Sequence, residues 1–154
     1  MIGMRIAGGI LAVATLAGAT AYTAPDQPTP ATTPTATMAS QPPTETLTPL
    51  LQQALPNVQG KTFTSAIVDF PPGARAAPHR HGEAFVYAYV LEGTVRSQLD
   101  DKPISTFRPG ENWVEQPGAH HVLTENVSRT KPAKLLVVFV SNTGDKLKVD
   151  DPGS

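Results

Sequence analysis

The chain is 154 residues long, contains no cysteine and carries a formal charge of −1 at pH 7. This length suits one domain, and the absence of cysteine excludes a disulfide framework. Basic and acidic residues are nearly balanced, so the composition favours no nucleic acid as a partner and no anionic membrane surface. The sequence therefore predicts a domain held together by its own packing, with a metal or a partner subunit as further sources of stability.

Residues 1–21 have the pattern of a secretory signal peptide. Arg5 supplies the positive charge, Ile6 to Gly18 form an apolar stretch, and Ala19 to Ala21 offer a cleavage site before Tyr22. An uncleaved anchor helix is the alternative, but the stretch is rich in Ala, Gly and Thr and no basic segment follows it. We therefore expect an extracytoplasmic protein, periplasmic or secreted, without a stable membrane span after cleavage.

Residues 22–46 form a Pro/Thr/Ala-rich linker with almost no large apolar residues. Such a composition cannot bury enough surface to offset the entropy lost on ordering, so a disordered tether is expected. The folded domain is predicted over residues 47–149, followed by a C-terminal tail at 150–154.

The domain is expected to begin with a short helix over Thr48 to Leu55. Thr48 can cap the helix, Pro49 suits its first position and Pro56 ends it.

From residue 62 the pattern changes to short, alternating segments rich in β-branched and aromatic residues. The predicted strands are Thr62–Phe70, Glu83–Leu91, Thr94–Leu99, Ile104–Phe107, Asn112–Glu115, His121–Asn126 and Lys134–Val140. Many short strands separated by Gly and Pro indicate an all-β fold, a small sandwich or barrel.

All four histidines lie in two groups, His79-Arg80-His81 and His120-His121. Side chains alternate along a strand, so His79 and His81 share a face, whereas only one of the adjacent pair can join them. Imidazole is a common metal ligand. If both segments lie in one sheet or barrel, three ring nitrogens can meet at one ion.

These residues resemble the two motifs of the cupin superfamily. Its first motif is G-x5-H-x-H-x(3,4)-E-x6-G, and its second is G-x5-P-x-G-x2-H-x3-N. The matching residues are Gly73, His79, His81 and Gly93 in the first motif, and Gly110, Gly118 and His121 in the second. The resemblance covers about residues 60–140 and implies a single jelly-roll β-barrel with His79, His81 and His121 as metal ligands.

The sequence departs from the family pattern at the glutamate of the first motif. That position falls on Val86, or alternatively on Phe85, and neither offers a carboxylate. Glu83 is on the same strand face as His81 and is a tentative fourth ligand; it could equally be a solvated acid at the end of a strand. In the second motif, Gln116 and Glu125 stand at the proline and asparagine positions.

The resemblance implies one divalent metal ion, with Fe expected first and Mn, Zn, Ni or Cu as alternatives. The leading functional hypothesis is a small-molecule oxidoreductase of dioxygenase type; isomerase or lyase chemistry is also open. The alternative is a metal-binding or ligand-sensing cupin without turnover. A small-molecule ligand or substrate is the expected partner, and a homodimer is left open. Four aromatic residues are compatible with a pocket lining, the core or a subunit interface: Phe85, Tyr87, Tyr89 and Trp113.

Overall fold

Eleven β-strands form the regular structure of residues 43–153, the part of the chain that the computed structural model describes. The strands are β1 (Thr46–Ala54), β2 (Lys61–Phe70), β3 (Arg75–Ala76), β4 (His79–Arg80), β5 (Phe85–Glu92), β6 (Val95–Leu99), β7 (Ser105–Phe107), β8 (Asn112–Glu115), β9 (His120–Asn126), β10 (Ala133–Asn142) and β11 (Val149–Asp150). The prediction of an all-β fold is confirmed.

The strands form two antiparallel sheets. One has the order β1-β2-β10-β5-β8, and the other has the order β11-β4-β9-β6-β7, with β3 also paired to β9. In β2 and β10 every second residue is buried, so one face of the five-stranded sheet points inward. The largest fully buried apolar side chains are Phe70, Val86, Val90, Val95 and Phe139. The core therefore lies between the sheets, where a site built from both can exclude water.

The predicted helix over Thr48 to Leu55 is wrong, because this segment belongs to strand β1. β1 pairs with β2, and the register shifts between Pro49 and Leu51, which marks a β-bulge. β1 has only one neighbour, and an edge strand tolerates a proline that cannot donate a backbone hydrogen bond. Pairing with β2 has overridden the local helical preference of the Leu, Gln and Ala residues.

The ordered part of the domain extends past both ends of the predicted 47–149 range. The signal peptide predicted at 1–21 and most of the linker predicted at 22–46 lie outside the described residues. At the end of that linker, the Pro43 carbonyl accepts a 3.1 Å hydrogen bond from the backbone N–H of Arg75. At the other end, Asp150 belongs to β11, which pairs with β4. No helix in residues 43–153 is long and apolar enough to cross a bilayer.

Gly93 and Gly73, two of the motif glycines, both have a positive backbone φ, 76° for Gly93 and 69° for Gly73. A Cβ added at Gly93 would lie 2.7 Å from the Ala133 Cβ and 2.7 Å from the Pro132 carbonyl oxygen, whereas one added at Gly73 would meet nothing within 4 Å. The turn after β5 thus requires glycine for space as well as for conformation.

We expect Gly93→Ala to destabilise the protein far more than Gly73→Ala. The left-handed conformation costs both variants roughly 1–2 kcal/mol. Only Gly93→Ala adds a steric clash with backbone, worth about 1–3 kcal/mol more. Thermal and urea unfolding of the two variants beside the parent would measure this difference, and equal losses of stability would contradict the close approach at Gly93.

Candidate metal centre

Strand pairing brings together the three histidines that the sequence singled out. His79 in β4 and His121 in β9 are directly opposite one another, and His81 follows β4 two residues after His79. One ligand atom from each residue lies within 4.8 Å of the other two. His79 and His121 are buried, and His81 is partly buried. The cluster therefore has the composition and spacing to hold a metal ion.

The tautomers of two of these histidines are set by backbone carbonyls. Nδ1 of His79 donates to the Ala77 carbonyl oxygen at 2.7 Å, and Nδ1 of His81 donates to the Leu147 carbonyl oxygen. Each Nε2 atom therefore carries a lone pair. The two Nε2 atoms lie 3.2 Å apart. Nitrogens bound at about 2.1 Å to one ion, at a right angle, would be about 3.0 Å apart, so this contact suits a cation.

His121 is held by buried hydroxyl groups. Its Nε2 atom shares hydrogen bonds with the Ser97 hydroxyl at 2.9 Å and the Thr124 hydroxyl at 2.5 Å. Both hydroxyl-bearing residues are buried. The other ring nitrogen, Nδ1, therefore points toward the centre of the cluster, at 3.1 Å from Oε1 of Glu115.

Glu115, which the motif comparison did not single out, supplies a carboxylate from the opposite sheet. It ends β8, is 2% exposed, and accepts a 3.1 Å hydrogen bond from the Trp113 indole at Oε1. Its Oε2 atom lies 3.5 Å from Nε2 of His81. Oε2 of Glu115 and Nδ1 of His121 are both buried without a hydrogen-bond partner among the described residues. Unpaired buried polar atoms are costly, so their convergence fits a bound cation.

The pKa shifts of His79, His81 and Glu115 favour the deprotonated forms, which are the forms that bind a cation. Burial lowers the pKa of His79 to about 4, and burial also lowers the pKa of His81. Burial alone would raise the pKa of Glu115, but contact with His121 and the charges that His121 and His81 can carry hold it below its usual value. At neutral pH the site therefore offers the neutral imidazoles of His79 and His81 beside an ionised carboxylate.

The register of the five-stranded sheet explains the missing glutamate of the first motif. Val86, at the family's glutamate position, is directly opposite Glu115 in the β5–β8 pair. Both side chains are buried. The carboxylate thus stands on the neighbouring strand, beside the expected position. Glu115 shares its strand face with Trp113, but sequence alone does not reveal its partner in β5.

One glutamate and one histidine near the motif, Glu83 and His120, lie outside the three-histidine cluster. Glu83 is exposed in the turn before β5 and, like Glu115, is not one of the three residues whose ligand atoms lie within 4.8 Å of one another; its role as a ligand stays a prediction. His120 is opposite Arg80, and its Nε2 atom lies 2.7 Å from Oδ2 of Asp151. Its ring therefore occupies the other face of β9, as strand alternation requires.

A cavity of about 180 Å³ reaches the histidine cluster. Its walls are mostly apolar and include Val68, Phe70, Leu135, Val137 and Phe139. Among residues 43–153, Lys148 is the only basic residue other than histidine in its lining. The ammonium group of Lys148 lies 2.6 Å from Oε1 of Glu45 and 2.9 Å from Oδ1 of Asp150. The cavity thus offers apolar walls, the histidine cluster and one positively charged side chain to a small molecule.

Residues 66–139 match the family model described as "Cupin domain". This domain is a cupin. The confirmed resemblance covers the strands that carry the histidine cluster and Glu115, whereas Lys148 and Glu45 lie outside the matched range. No curated protein matches the chain in sequence.

Solved structures of other cupins share this fold. An oxalate oxidase in complex with the substrate analogue glycolate is 25% identical, with a TM-score of 0.57, over 73% of this chain and 58% of that one. The DMSP lyase DddQ from Ruegeria pomeroyi is 19% identical, with a TM-score of 0.59, over 72% and 54%. The cupin domain of Schizosaccharomyces pombe Cnp3 is 13% identical, with a TM-score of 0.54, over 64% and 62%. The chain therefore spans less than two thirds of the length of each.

We expect His121→Ala to remove most metal-dependent stabilisation of this cupin and His120→Ala to preserve it. A ligand at a hundredfold excess over its Kd stabilises a folded protein by about 2.7 kcal/mol. The shift in Tm on adding Fe(II), Mn(II) or Zn(II) to chelator-treated protein would show whether each variant retains that gain. A larger loss from His120→Ala would mean that the other face of β9 holds the ion.

The same measurement separates the two candidate carboxylates. Glu115→Gln should weaken metal binding by at least tenfold, since a buried anionic ligand becomes neutral, and Glu83→Gln should bind metal as the parent does. The reverse ranking would restore Glu83 as the ligand and leave Glu115 a structural acid.

Proposed function

We propose that this cupin binds one divalent first-row metal through His79, His81 and His121, with Glu115 as the fourth ligand, and that it oxidises a small carboxylic acid. The observation that carries the proposal is a cluster of three imidazoles whose ligand atoms lie within 4.8 Å of one another, beside a buried carboxylate with oxygens 3.1 Å from Nδ1 of His121 and 3.5 Å from Nε2 of His81. The neighbouring cavity and the similarity to oxalate oxidase support the choice of substrate class.

The donor set is compatible with several divalent first-row metals. Imidazole and carboxylate ligands suit Fe(II) and Mn(II) as well as Zn, Ni or Cu. We propose Fe(II), with Mn(II) as the first alternative. When bound, such an ion would supply Lewis-acid polarisation and redox chemistry to a substrate in the cavity.

The cavity favours a small anion. Burial is the main reason that the pKa of His79 and of His81 is lowered, and the charge of Lys148, which lines the cavity, lowers both further. In the structure Lys148 is paired with Glu45, which lines the same cavity. A substrate carboxylate can replace Glu45 at the ammonium group and keep the charge of Lys148 paired. The apolar walls would exclude water from the bound substrate and strengthen this ion pair.

We expect the Fe(II)- or Mn(II)-loaded protein to consume oxygen with oxalate or glycolate and to be inactive after chelation. Lys148→Met should raise KM for these acids by tenfold or more, because it removes the charge that holds the carboxylate. Lys102→Met, which changes an exposed lysine outside this cavity, is the matched control. Oxygen uptake and metal content, measured on the same preparations, test the proposal.

A different result would favour the alternative function. If the metal-loaded protein binds oxalate or glycolate in calorimetry without consuming oxygen, the domain is a binding or sensing cupin. If it binds neither acid, the proposed substrate class is wrong while the metal site can still stand.

We further propose that the protein is exported, on the basis of the charged, apolar and small-residue pattern of residues 1–21. Mass spectrometry of the protein recovered from its native host should then show a mature chain that begins at Tyr22. A chain that retains Met1 in the extracytoplasmic fraction would contradict cleavage.

A further inference from the structure

The cavity beside the histidine cluster meets solvent where its lining is not buried. Most of the described lining residues are buried between the two sheets, for example Phe70 and Leu135. Four of the described lining residues are not buried, and we call them the mouth of the cavity: Glu45, Leu47, His81 and Lys148. They lie together, because Glu45 contacts Lys148, and the Leu147 carbonyl accepts a hydrogen bond from His81. A small molecule that approaches the cluster from this side must pass them.

An ion pair crosses the mouth and joins the two ends of the domain. Nζ of Lys148, just before β11, lies 2.6 Å from Oε1 of Glu45, just before β1. The same ammonium group lies 2.9 Å from Oδ1 of Asp150. Side-chain exposure falls from 53% at Asp150 to 28% at Lys148 and 11% at Glu45. The Glu45–Lys148 pair therefore lies at the boundary between solvent and the cavity.

Both members of this pair are charged at neutral pH. Burial alone would raise the pKa of Glu45, but hydrogen bonds with Lys148 and Thr44 hold it below its usual value. Burial alone would lower the pKa of Lys148, but contacts with Glu45 and Asp150 raise it. An ion pair that is partly withdrawn from water is stronger than one on an open surface. Electrostatic attraction therefore favours the arrangement in which the two side chains meet across the mouth.

The backbone is anchored on both sides of the mouth. The Pro43 carbonyl is hydrogen-bonded to β3, and the residues after Glu45 belong to β1, which pairs with β2. The residues after Lys148 belong to β11, which pairs with β4. Only the long side chains of Glu45 and Lys148 bridge the space between these two anchored segments. Because rotamer changes of such side chains take picoseconds to nanoseconds, the mouth can open without the movement of a strand.

We infer that the Glu45–Lys148 ion pair closes the mouth of the cavity, and that the mouth opens by rotation of the Glu45 side chain. In the closed state Glu45 occupies the place at the ammonium group that the carboxylate of a bound acid would take. The closure depends only on the geometry of the mouth, whereas the competition with a carboxylate rests on the proposed function. Glu45 and Lys148 lie on either side of the matched cupin range, so the closure belongs to the terminal segments of the domain.

Trp113, the single tryptophan of the chain, can report on the opening. It is 8% exposed and lines the cavity, so a neutral quencher such as acrylamide reaches it from this side through the mouth. Glu45→Gln removes the charge and keeps the size of the side chain. In the chelator-treated full chain it should raise the quenching rate constant of Trp113 about threefold, because the loss of a partly exposed ion pair shifts an equilibrium by roughly this factor. Trp113 also borders a second cavity, of about 70 Å³, from which quenching should be equal in every variant.

Glu125→Gln is the matched control, because it makes the same chemical change in another ion pair. Glu125 is paired with Arg96, and neither is among the described residues that line the cavity. This variant should be quenched as the parent is. Glu45→Ala, which also removes the side chain that spans the mouth, should be quenched at least as fast as Glu45→Gln. Circular dichroism and Tm verify that each variant is folded, and equal quenching of the parent and both Glu45 variants would overturn the inference.

Glycolate binding tests the competition at Lys148. A ligand that binds only the open state loses affinity in proportion to the fraction of molecules that are closed. Calorimetry on the Zn(II)-treated proteins should therefore show that Glu45→Gln binds glycolate about threefold more tightly than the parent, a factor that matches the quenching ratio. Faster quenching without tighter glycolate binding would overturn the competition and leave the closure intact. If glycolate binds neither protein, the proposed substrate class is wrong, and the quenching ratio still decides whether the ion pair closes the mouth.

Discussion

The burial of Glu115 is the main energetic constraint on this fold. Glu115 is an ionised carboxylate with 2% exposure, and it faces histidines across the gap between the two sheets. An unpaired buried charge costs several kcal/mol, so the partners of Glu115 must be held in place by the backbone. Two strand pairings do this. One puts Val86 opposite Glu115, and the other puts His79 opposite His121. A slip of one residue in either pair would turn a ligand away from the centre.

The carbonyl groups of Ala77 and Leu147 lie outside the histidine cluster and orient two of its rings. They hold the Nδ1 protons of His79 and His81 and so direct two lone pairs at each other, an arrangement that is unfavourable without a cation. The facing lone pairs therefore lower the stability of the metal-free protein, and a bound metal would remove this unfavourable contact. Since the Leu147 carbonyl comes from the segment before β11 and Lys148 follows it directly, the C-terminal segment orients a ligand and places a cation in the cavity.

Much of the strand pattern and the histidine cluster could be predicted from sequence, because alternation along a strand determines which side chains share a face. His79, His81 and His121 needed only that rule and the motif spacing. The helix expected at Thr48 to Leu55 failed because the segment gains its structure from β2, a partner that local propensity does not include. Glu115 was missed for a related reason: its position relative to Val86 depends on cross-strand register, which the spacing along one strand does not contain.

The side chains of β5 alternate between the core and the outward face of the sheet. Val86 and Ala88 face the core, whereas Tyr87 and Tyr89 face outward, so the pocket lining that the sequence left open for these tyrosines does not apply. Trp113, by contrast, faces inward and donates to Glu115. β8, which carries Glu115, is only four residues long and lies at the edge of its sheet. Because an edge strand has one neighbour only, its pairing with β5 is what keeps Glu115 in register with the three histidines.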